Sequence, residues 1–154
     1  MRTRNGITPF ERFWKEYERW FEENNFIYES ELEAVRDALP PSGEGLEIGV
    51  GSGRFAARLG VRHGVDPAEP MLRLARERGI EAVKAEGEKL PYENEKFDFV
   101  LMVTVICFLE DVTAVFREAH RVLKPGGSLV VGILDRTTRA GRKMEERRND
   151  SDFF

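Results

Sequence analysis

Aromatic and apolar residues near the start of the chain recur at the three- and four-residue intervals of an α-helix. The first such stripe consists of Phe10, Phe13, Trp14, Tyr17 and Phe21. Thr8 and Pro9 precede it and suit the N-cap and the first helical position. A second stripe, after the capping residue Ser30, consists of Leu32, Val35 and Leu39. Residues 1–40 are therefore predicted to form a helical segment that ends at the following prolines.

From residue 45 onwards the pattern changes to short apolar strands that alternate with helical stripes. The predicted strands are residues 45–50, 61–66, 80–85, 97–103 and 128–134. The predicted helices between them cover residues 55–59, 69–78 and 112–123. The fourth strand is the most apolar, as expected of a parallel strand that is buried on both faces. The alternation predicts an α/β fold with a parallel sheet, whose ligands bind beyond the C-terminal strand ends.

Length and composition narrow the class of protein. The chain has 154 residues, so we expect a single domain. No apolar run reaches the roughly 20 residues that a membrane-spanning helix needs, and no secretory signal is readable, so we expect a cytoplasmic protein without a membrane partner. Cys107 is the only cysteine, which excludes an intramolecular disulfide. With 24 basic and 28 acidic residues the net charge is −4, which argues against a nucleic-acid partner.

A glycine-rich loop joins the first predicted strand to its helix. Gly49, Gly51 and Gly53, with Ser52 between the last two, stand where the chain turns sharply and a ligand can approach the backbone. Backbone amides at the start of the helix favour an anionic group, although a tight turn without a ligand is the simpler alternative. A dinucleotide fingerprint would place glycine at position 54, where this chain has Arg54.

Acidic residues stand at the ends of the first three predicted strands. Glu47 would repel a pyrophosphate at the glycine loop, so a ligand with an ammonium group fits better. Asp66 can accept two hydrogen bonds from a ribose diol, or it can cap the following helix. Glu86, followed by Gly87, could meet an adenine amino group, or it could be a solvated loop residue.

Together these segments resemble the class I S-adenosylmethionine-dependent methyltransferases, in particular their small-molecule, single-domain type. Residues 46–55 resemble the first motif of that family, and residues 64–67, followed by Met71, resemble the second. The other matching segments are residues 86–92, 97–101 and 118–127. The resemblance covers residues 44–135 and implies a three-layer Rossmann-like, doubly wound sheet with strand order 3-2-1-4-5. The family usually has Asp at the position of Glu86.

The resemblance implies that the protein binds S-adenosyl-L-methionine and transfers its methyl group to a small-molecule acceptor. Asp66 would hold the ribose hydroxyls, whereas Glu86 and Gly87 would meet the adenine. Thr104 would lie near the methionine part. The other residues expected around the methionine part are Glu47, Gly49, Gly51, Ser52 and Gly53. No metal is implied, and no residue is assigned as the catalytic base.

The sheet of this family normally continues with two antiparallel strands, which do not fit between the fifth predicted strand and residue 154. Residues 136–154 instead have the composition of a polar tail. The chain is therefore expected to be either a fragment or a protein whose fifth strand forms an exposed edge that a partner covers. Because an unpaired edge invites pairing, a homodimer through this strand is a hypothesis.

Three residues are candidates for the acceptor pocket. Tyr17 and Trp20 belong to the segment 1–40, which is predicted to cover the cofactor as a lid, and Cys107 follows the fourth strand. Two other functions stay open. One is a nicotinamide-dependent oxidoreductase domain, which Arg54 and Glu47 disfavour. The other is a cofactor-binding module without turnover, because the absent strands could remove part of the acceptor site.

Overall fold

The structure is a computed structural model that describes residues 9–135, 137–139 and 141–142. Three helices come first: α1 (Pro9–Arg12), α2 (Trp14–Glu23) and α3 (Asn25–Ala38). The alternating part consists of β1 (Gly45–Ile48), α4 (Arg54–Leu59), β2 (His63–Asp66), α5 (Glu69–Glu77), β3 (Glu81–Lys84), β4 (Phe97–Val103), α6 (Val112–Val122) and β5 (Leu123–Gly132). A short 3-10 turn, Ile106–Phe108, follows β4.

The five strands form one parallel sheet in the order β3-β2-β1-β4-β5. The expected fold class and strand order are confirmed. In the register of the sheet, Ile48 of β1 lies beside Val65 of β2, and Leu46 lies beside Val100 of β4. The winding direction changes between β1 and β4, so the C-terminal ends of these strands are the expected ligand edge.

Two apolar layers hold the sheet between helices. On one side, α2 and α3 supply Phe21, Tyr28 and Leu32, which pack with Phe55 and Leu101. On the other side, the core is built around α6 and β4, and its members include Ile48, Val65, Val100, Met102, Val115 and Ala119. From Phe99 to Val103, odd and even positions of β4 thus face opposite layers, which explains why this strand is almost continuously apolar.

The N-terminal helices differ from the predicted ones. The first predicted helix is interrupted at Phe13, whose φ of −112° and ψ of 27° are not helical. The second starts at Asn25 rather than after Ser30, and the Ser30 hydroxyl donates to the Phe26 carbonyl within the helix. Because Tyr28 is buried against the core, packing of this turn outweighs the capping preference of Ser30.

The fifth strand starts earlier than predicted. β5 begins at Leu123, which lies beside Phe97 of β4, with an irregular register before Phe99. The segment 124–127, which the prediction left between the helix and the strand, therefore already belongs to the strand. The predicted polar tail, 136–154, lies mostly outside the described residues. No helix in the described part is long and apolar enough to span a bilayer.

Candidate active site

A cavity of about 570 Å³ lies at the C-terminal ends of the strands. Its floor includes the glycine loop after β1, Asp66 at the end of β2 and Thr104 after β4. The N-terminal helices contribute the opposite wall, which includes Tyr17 and Trp20. The cavity therefore occupies the edge at which a doubly wound sheet binds its ligand.

The glycine loop needs glycine for two different reasons. Gly49 and Gly51 line the cavity with φ of 74° and 53°. A Cβ on Gly51 would lie 3.3 Å from Cε of Met71 and 3.8 Å from the Tyr17 hydroxyl, so it would enter the cavity. Gly53 does not line the cavity; its Cβ would lie 3.1 Å from Cα of Ala75. Gly53 therefore permits close packing of the loop against α5.

Asp66 ties the glycine loop to the start of α5. Its Oδ2 accepts a hydrogen bond of 3.0 Å from the Gly51 amide, and its Oδ1 accepts one of 2.9 Å from the Ala68 amide. Each carboxylate oxygen keeps a lone pair for a further donor. Burial raises the pKa of Asp66 to about 6, although both amide donors lower it. The nearby carboxylates of Glu86 and Glu11 raise it further.

Glu47 lies behind the glycine loop and does not line the cavity. Its side chain is only 2% exposed, and within the described residues its Oε2 has no hydrogen-bond partner. Burial raises the pKa of Glu47 well above its ordinary value; a hydrogen bond from the Ala56 amide opposes the rise and the Asp66 carboxylate adds to it. The structure thus brings Asp66, Gly49 and Gly51 together at the cavity and leaves Glu47 beneath them. The contact predicted between Glu47 and an ammonium group stays a prediction.

Ser52 is also placed behind the cavity wall. Its side chain is buried, and its carbonyl accepts a 2.6 Å hydrogen bond from Nη1 of Arg78. Arg78 uses its second nitrogen for Glu18 of α2, at 2.6 Å. Arg54 reaches the same Glu18 carboxylate. Arg54 therefore joins the loop to α2 instead of lining the cavity.

In this cluster the single carboxylate of Glu18 is shared by two guanidinium groups. Burial alone would raise the pKa of Glu18, but the hydrogen bonds from Arg54 and Arg78 outweigh it and hold the pKa below its ordinary value. The guanidinium of Arg54 also lies over the Phe21 ring, 5.0 Å from its centroid. Sequence reasoning missed Glu18 and Arg78 because no local pattern links residues so far apart in the chain.

Aromatic rings from α1, α2 and the 3-10 turn close the cavity. Phe10 packs edge-on against Tyr17 at 5.5 Å and against Phe108 at 5.0 Å between ring centroids. The Tyr17 hydroxyl lies above Gly51. Burial raises the pKa of Tyr17, and the carboxylates of Glu47 and Asp66 add to the rise. The phenol therefore stays protonated and can donate a hydrogen bond.

The side of the cavity beyond β4 carries a strained residue. Thr104 has a φ of 51°, which is unusual for a β-branched residue, and its amide donates to the Gly132 carbonyl at 2.8 Å. Such outliers persist where the surrounding structure imposes them, often at functional sites. Cys107, in the turn that follows, is exposed and lines the cavity.

Glu86 and Gly87 line the cavity at the end of β3. Glu86 is exposed. Gly87 is buried, and a Cβ there would lie 3.1 Å from Ile48 and 3.2 Å from Val115. Gly87 thus allows close approach of the backbone to the core, while Glu86 can reach a ligand.

The residues present fit S-adenosylmethionine. A buried carboxylate at the end of β2 suits a ribose diol, because Asp66 still has acceptor capacity. The cradle at Gly51 is space that a side chain would fill. An acid at the end of β3 faces the same cavity. These acidic hydrogen-bond acceptors therefore match a nucleoside that carries positive charge.

Comparisons with known proteins agree with this geometry. Residues 46–131 match the family described as a methyltransferase domain. An uncharacterized protein of Methanocaldococcus jannaschii, MJ1123, is 45% identical over 148 residues, which cover 96% of this chain and 72% of that protein.

Two further proteins carry descriptions of an activity. A Thermotoga maritima crystal structure, described as a SAM-dependent methyltransferase and possible histamine N-methyltransferase, is 51% identical with a TM-score of 0.89; the match covers 94% of this chain and 70% of that one. A demethylmenaquinone methyltransferase of Roseiflexus castenholzii is 37% identical over 103 residues, or 60% of this chain and 43% of that protein. The family match spans more than half of this chain, and it coincides with the part that forms the glycine loop and the strand-end acids. The chain therefore belongs to the S-adenosylmethionine-dependent methyltransferases, and its cofactor is S-adenosylmethionine.

Proposed function

We propose that this protein transfers a methyl group from S-adenosylmethionine to a small-molecule acceptor. The observation that carries the proposal is a single cavity that extends from Asp66 on the sheet edge to Trp20 on the N-terminal helices. When bound, the cofactor supplies a methyl group already activated on a sulfonium, so the protein needs no covalent nucleophile. Its residues have to orient the two reactants and exclude water.

The proposed roles follow from the placement of each residue. Asp66 accepts hydrogen bonds from the ribose hydroxyls while its other lone pairs hold the Gly51 and Ala68 amides. Glu86 and Gly87 meet the adenine. Gly49, Gly51 and Thr104 surround the methionine part, and Tyr17 is placed above it. Glu47, Ser52 and Gly53 support the loop from behind.

The N-terminal helices α1–α3 act in this proposal as a lid. Phe10, Tyr17 and Trp20 cover the cavity, and the ion cluster at Glu18 fixes α2 to the glycine loop. Closure by this lid would exclude water from the methyl group. It would also supply part of the acceptor pocket, together with Cys107.

A calorimetric titration with S-adenosylhomocysteine tests the assignment. Asp66→Ala should weaken binding about 10- to 100-fold, because a carboxylate that accepts from hydroxyls contributes about 1.5–3 kcal/mol. Asp37→Ala, an exposed acid on α3, is the matched control and should bind like the unaltered protein. Equal affinity of the Asp66→Ala variant would remove Asp66 from the site.

The alternative function is a binding module without turnover. Mass-spectrometric detection of methylated products from a set of small acceptors separates the two functions. Cofactor binding without any methylated product would favour the module. The nicotinamide alternative has no support from the family match.

A homodimer through β5 stays a proposal as well. Within the described residues β5 lies at the edge of the sheet, and Ile133 just beyond it is 68% exposed. An edge with apolar neighbours can pair with a second copy. Light scattering at increasing protein concentration should show a dimer, and a monomer at all concentrations would reject it.

A cytoplasmic location likewise stays a prediction, which cell fractionation would check.

A further inference from the structure

An acidic residue interrupts the apolar face of α3. Tyr28, Leu32 and Val35 are buried on this helix. Glu31 lies three residues after Tyr28 and four before Val35, so it shares their face. It lines the cavity, whereas the ordinary pattern of a packed helix would place an apolar residue there.

Glu31 has no partner within the part of the chain that the structure describes. No hydrogen bond or ion pair involves it, and burial alone raises the pKa of its carboxyl group. A carboxylate withdrawn from water without a partner is unfavourable. Glu18 on the neighbouring helix is similarly withdrawn but is held by two arginines. The fold thus pairs one of these acids and leaves the other facing the cavity.

The surroundings of Glu31 favour a cation with an apolar body. Among the described charged residues that line the cavity, Lys89 is the only base. The acids are Glu16, Glu31, Asp66, Glu86, Glu88, Glu110 and Asp111. A cleft lined by one sign of charge concentrates ligands of the opposite sign. The rings of Phe10, Trp20 and Phe108 offer apolar surface and faces that attract cations.

We propose that Glu31 recognises the acceptor and that the acceptor is an amine attached to an aromatic or aliphatic body. This inference rests on the proposed methyltransferase function. The Glu31 carboxylate pairs with the protonated amine as it enters. One N–H bond of the ammonium then breaks as its proton moves to a Glu31 oxygen, which leaves the nitrogen with the free electron pair that methylation needs. Glu31 returns the proton to solvent when the product leaves.

Binding of amines and their uncharged analogues tests the proposal without relying on turnover. The probes are 2-phenylethylamine and hexylamine, each compared with the corresponding alcohol, titrated calorimetrically into protein saturated with S-adenosylhomocysteine. We expect at least one amine to bind 10-fold or more tightly than its alcohol. Glu31→Gln, which keeps the shape but removes the charge, should remove that preference. Glu33→Gln, an exposed acid on the same helix, is the matched control and should keep it.

Two further measurements distinguish failure of the Glu31 proposal from failure of the proposed methyltransferase function. Glu31→Gln should leave the affinity for S-adenosylhomocysteine within about twofold and should melt at the same or a higher temperature, because a half-buried acid without a partner among the described residues is removed. Absence of any amine preference, or a preference that survives Glu31→Gln, overturns the inference while the methyltransferase proposal stands. A large loss of S-adenosylhomocysteine affinity in Glu31→Gln also overturns it, because Glu31 would then belong to the cofactor site. Failure of the unaltered protein to bind S-adenosylhomocysteine would instead refute the proposed function.

Discussion

Glu18 of α2 and Arg54 of α4 form an ion pair that joins the N-terminal helices to the first residue after the glycine loop. Nη2 and Nε of Arg54 lie 2.8 and 3.2 Å from Oε2 of Glu18. Their side chains are only 18% and 15% exposed, and Arg78 binds the same carboxylate. The ion pair therefore couples the covering helices to the floor of the cavity.

Removing the charge of Glu18 should destabilise the protein measurably. Glu18→Gln leaves two half-buried guanidinium groups without their carboxylate, and we expect a loss of about 1–3 kcal/mol in the free energy of unfolding. Urea denaturation measures it. The control is Glu29→Gln, whose pair with Arg58 is half exposed and should contribute less than about 1 kcal/mol. Equal losses in both variants would show that the Glu18 cluster has no special role.

The pH dependence of Glu18 has a defined sign. The pKa of its carboxyl group is lower in the folded protein than in the unfolded chain. Its contribution is therefore complete above the ordinary carboxyl pKa and is lost as the pH falls through the lowered value. The stability difference between the unaltered protein and Glu18→Gln should accordingly shrink in acid. A difference that grows in acid would contradict the pairing.

Adding a methyl group at Gly51 should impair cofactor binding because the added carbon occupies space in the cavity. Gly51→Ala places a Cβ in the cavity, 3.3 Å from Met71, at a left-handed φ of 53°. Backbone strain alone should cost about 1–2 kcal/mol of stability. Gly60→Ala is the matched control, because its φ is 72° and nothing lies within 4 Å of the added carbon. Both variants should lose stability, but only Gly51→Ala should lose affinity for S-adenosylhomocysteine in calorimetry.

The two tryptophans allow the covering role of α2 to be tested by fluorescence. Trp20 lines the cavity and Trp14 is not among the lining residues. In Trp14→Phe, where Trp20 is the remaining fluorophore, S-adenosylhomocysteine should shift or quench the emission. In Trp20→Phe the emission of Trp14 should change much less. If the emission of Trp20 does not change when S-adenosylhomocysteine binds, the proposal that α2 covers the cavity as a lid is refuted.

Asp66 should make cofactor binding depend on pH near neutrality. Its pKa is raised to about 6, chiefly by burial, and the ionised form is the better acceptor for hydroxyls. Affinity for S-adenosylhomocysteine should therefore rise as the pH increases from 5 to 7, with proton release on binding. Calorimetry in buffers of different ionisation enthalpy measures that release. Asp66→Asn should flatten the pH profile of the affinity. An unchanged profile would show that ionisation of Asp66 does not cause the pH dependence.

The raised pKa of Asp66 also lowers the free energy of unfolding at neutral pH. The folded protein holds the Asp66 proton more tightly than the unfolded chain does, so the folded state is disfavoured as the pH rises from about 4 to about 6. The loss from this group approaches about 3 kcal/mol above that range. Glu47 contributes with the same sign, because burial raises its pKa as well. Urea titrations at pH 5 and 7 should show a smaller difference in Asp66→Asn.

Local patterns predicted the sheet well and the helix boundaries less well. The alternation of short apolar strands with helical stripes located all five strands, and the signal is clearest for β1, β2 and β4, which are buried along nearly their whole length. The capping pattern at Ser30 was misleading, since the burial of Tyr28 extends α3 by one turn towards its N-terminus. Tertiary packing decided that boundary.

The candidate site also has a part that could be predicted from the sequence and a part that could not. Gly49, Gly51, Asp66, Glu86 and Gly87 were identified because chain order places them at the strand ends, and Thr104 was implied by the family resemblance; all six line the cavity. Whether an acid near the glycine loop faces the ligand or the core depends on side-chain direction. The side chain of Glu47 is buried behind the loop, and its predicted contact with the ligand stays a prediction.

The fold class and the positions of the glycine loop and the acids beside it could be predicted from the amino-acid sequence, and the family resemblance added the strand order. These follow from periodicity and motifs, which are local properties of the chain. The three-dimensional structure was needed to show that Glu18 reaches Arg54 and Arg78, 36 and 60 residues away, and that Glu31 lines the cavity with no partner among the described residues. Ion pairing and burial of single side chains depend on how α2 and α3 pack on the sheet edge, and the spacing of residues along the chain does not contain that information.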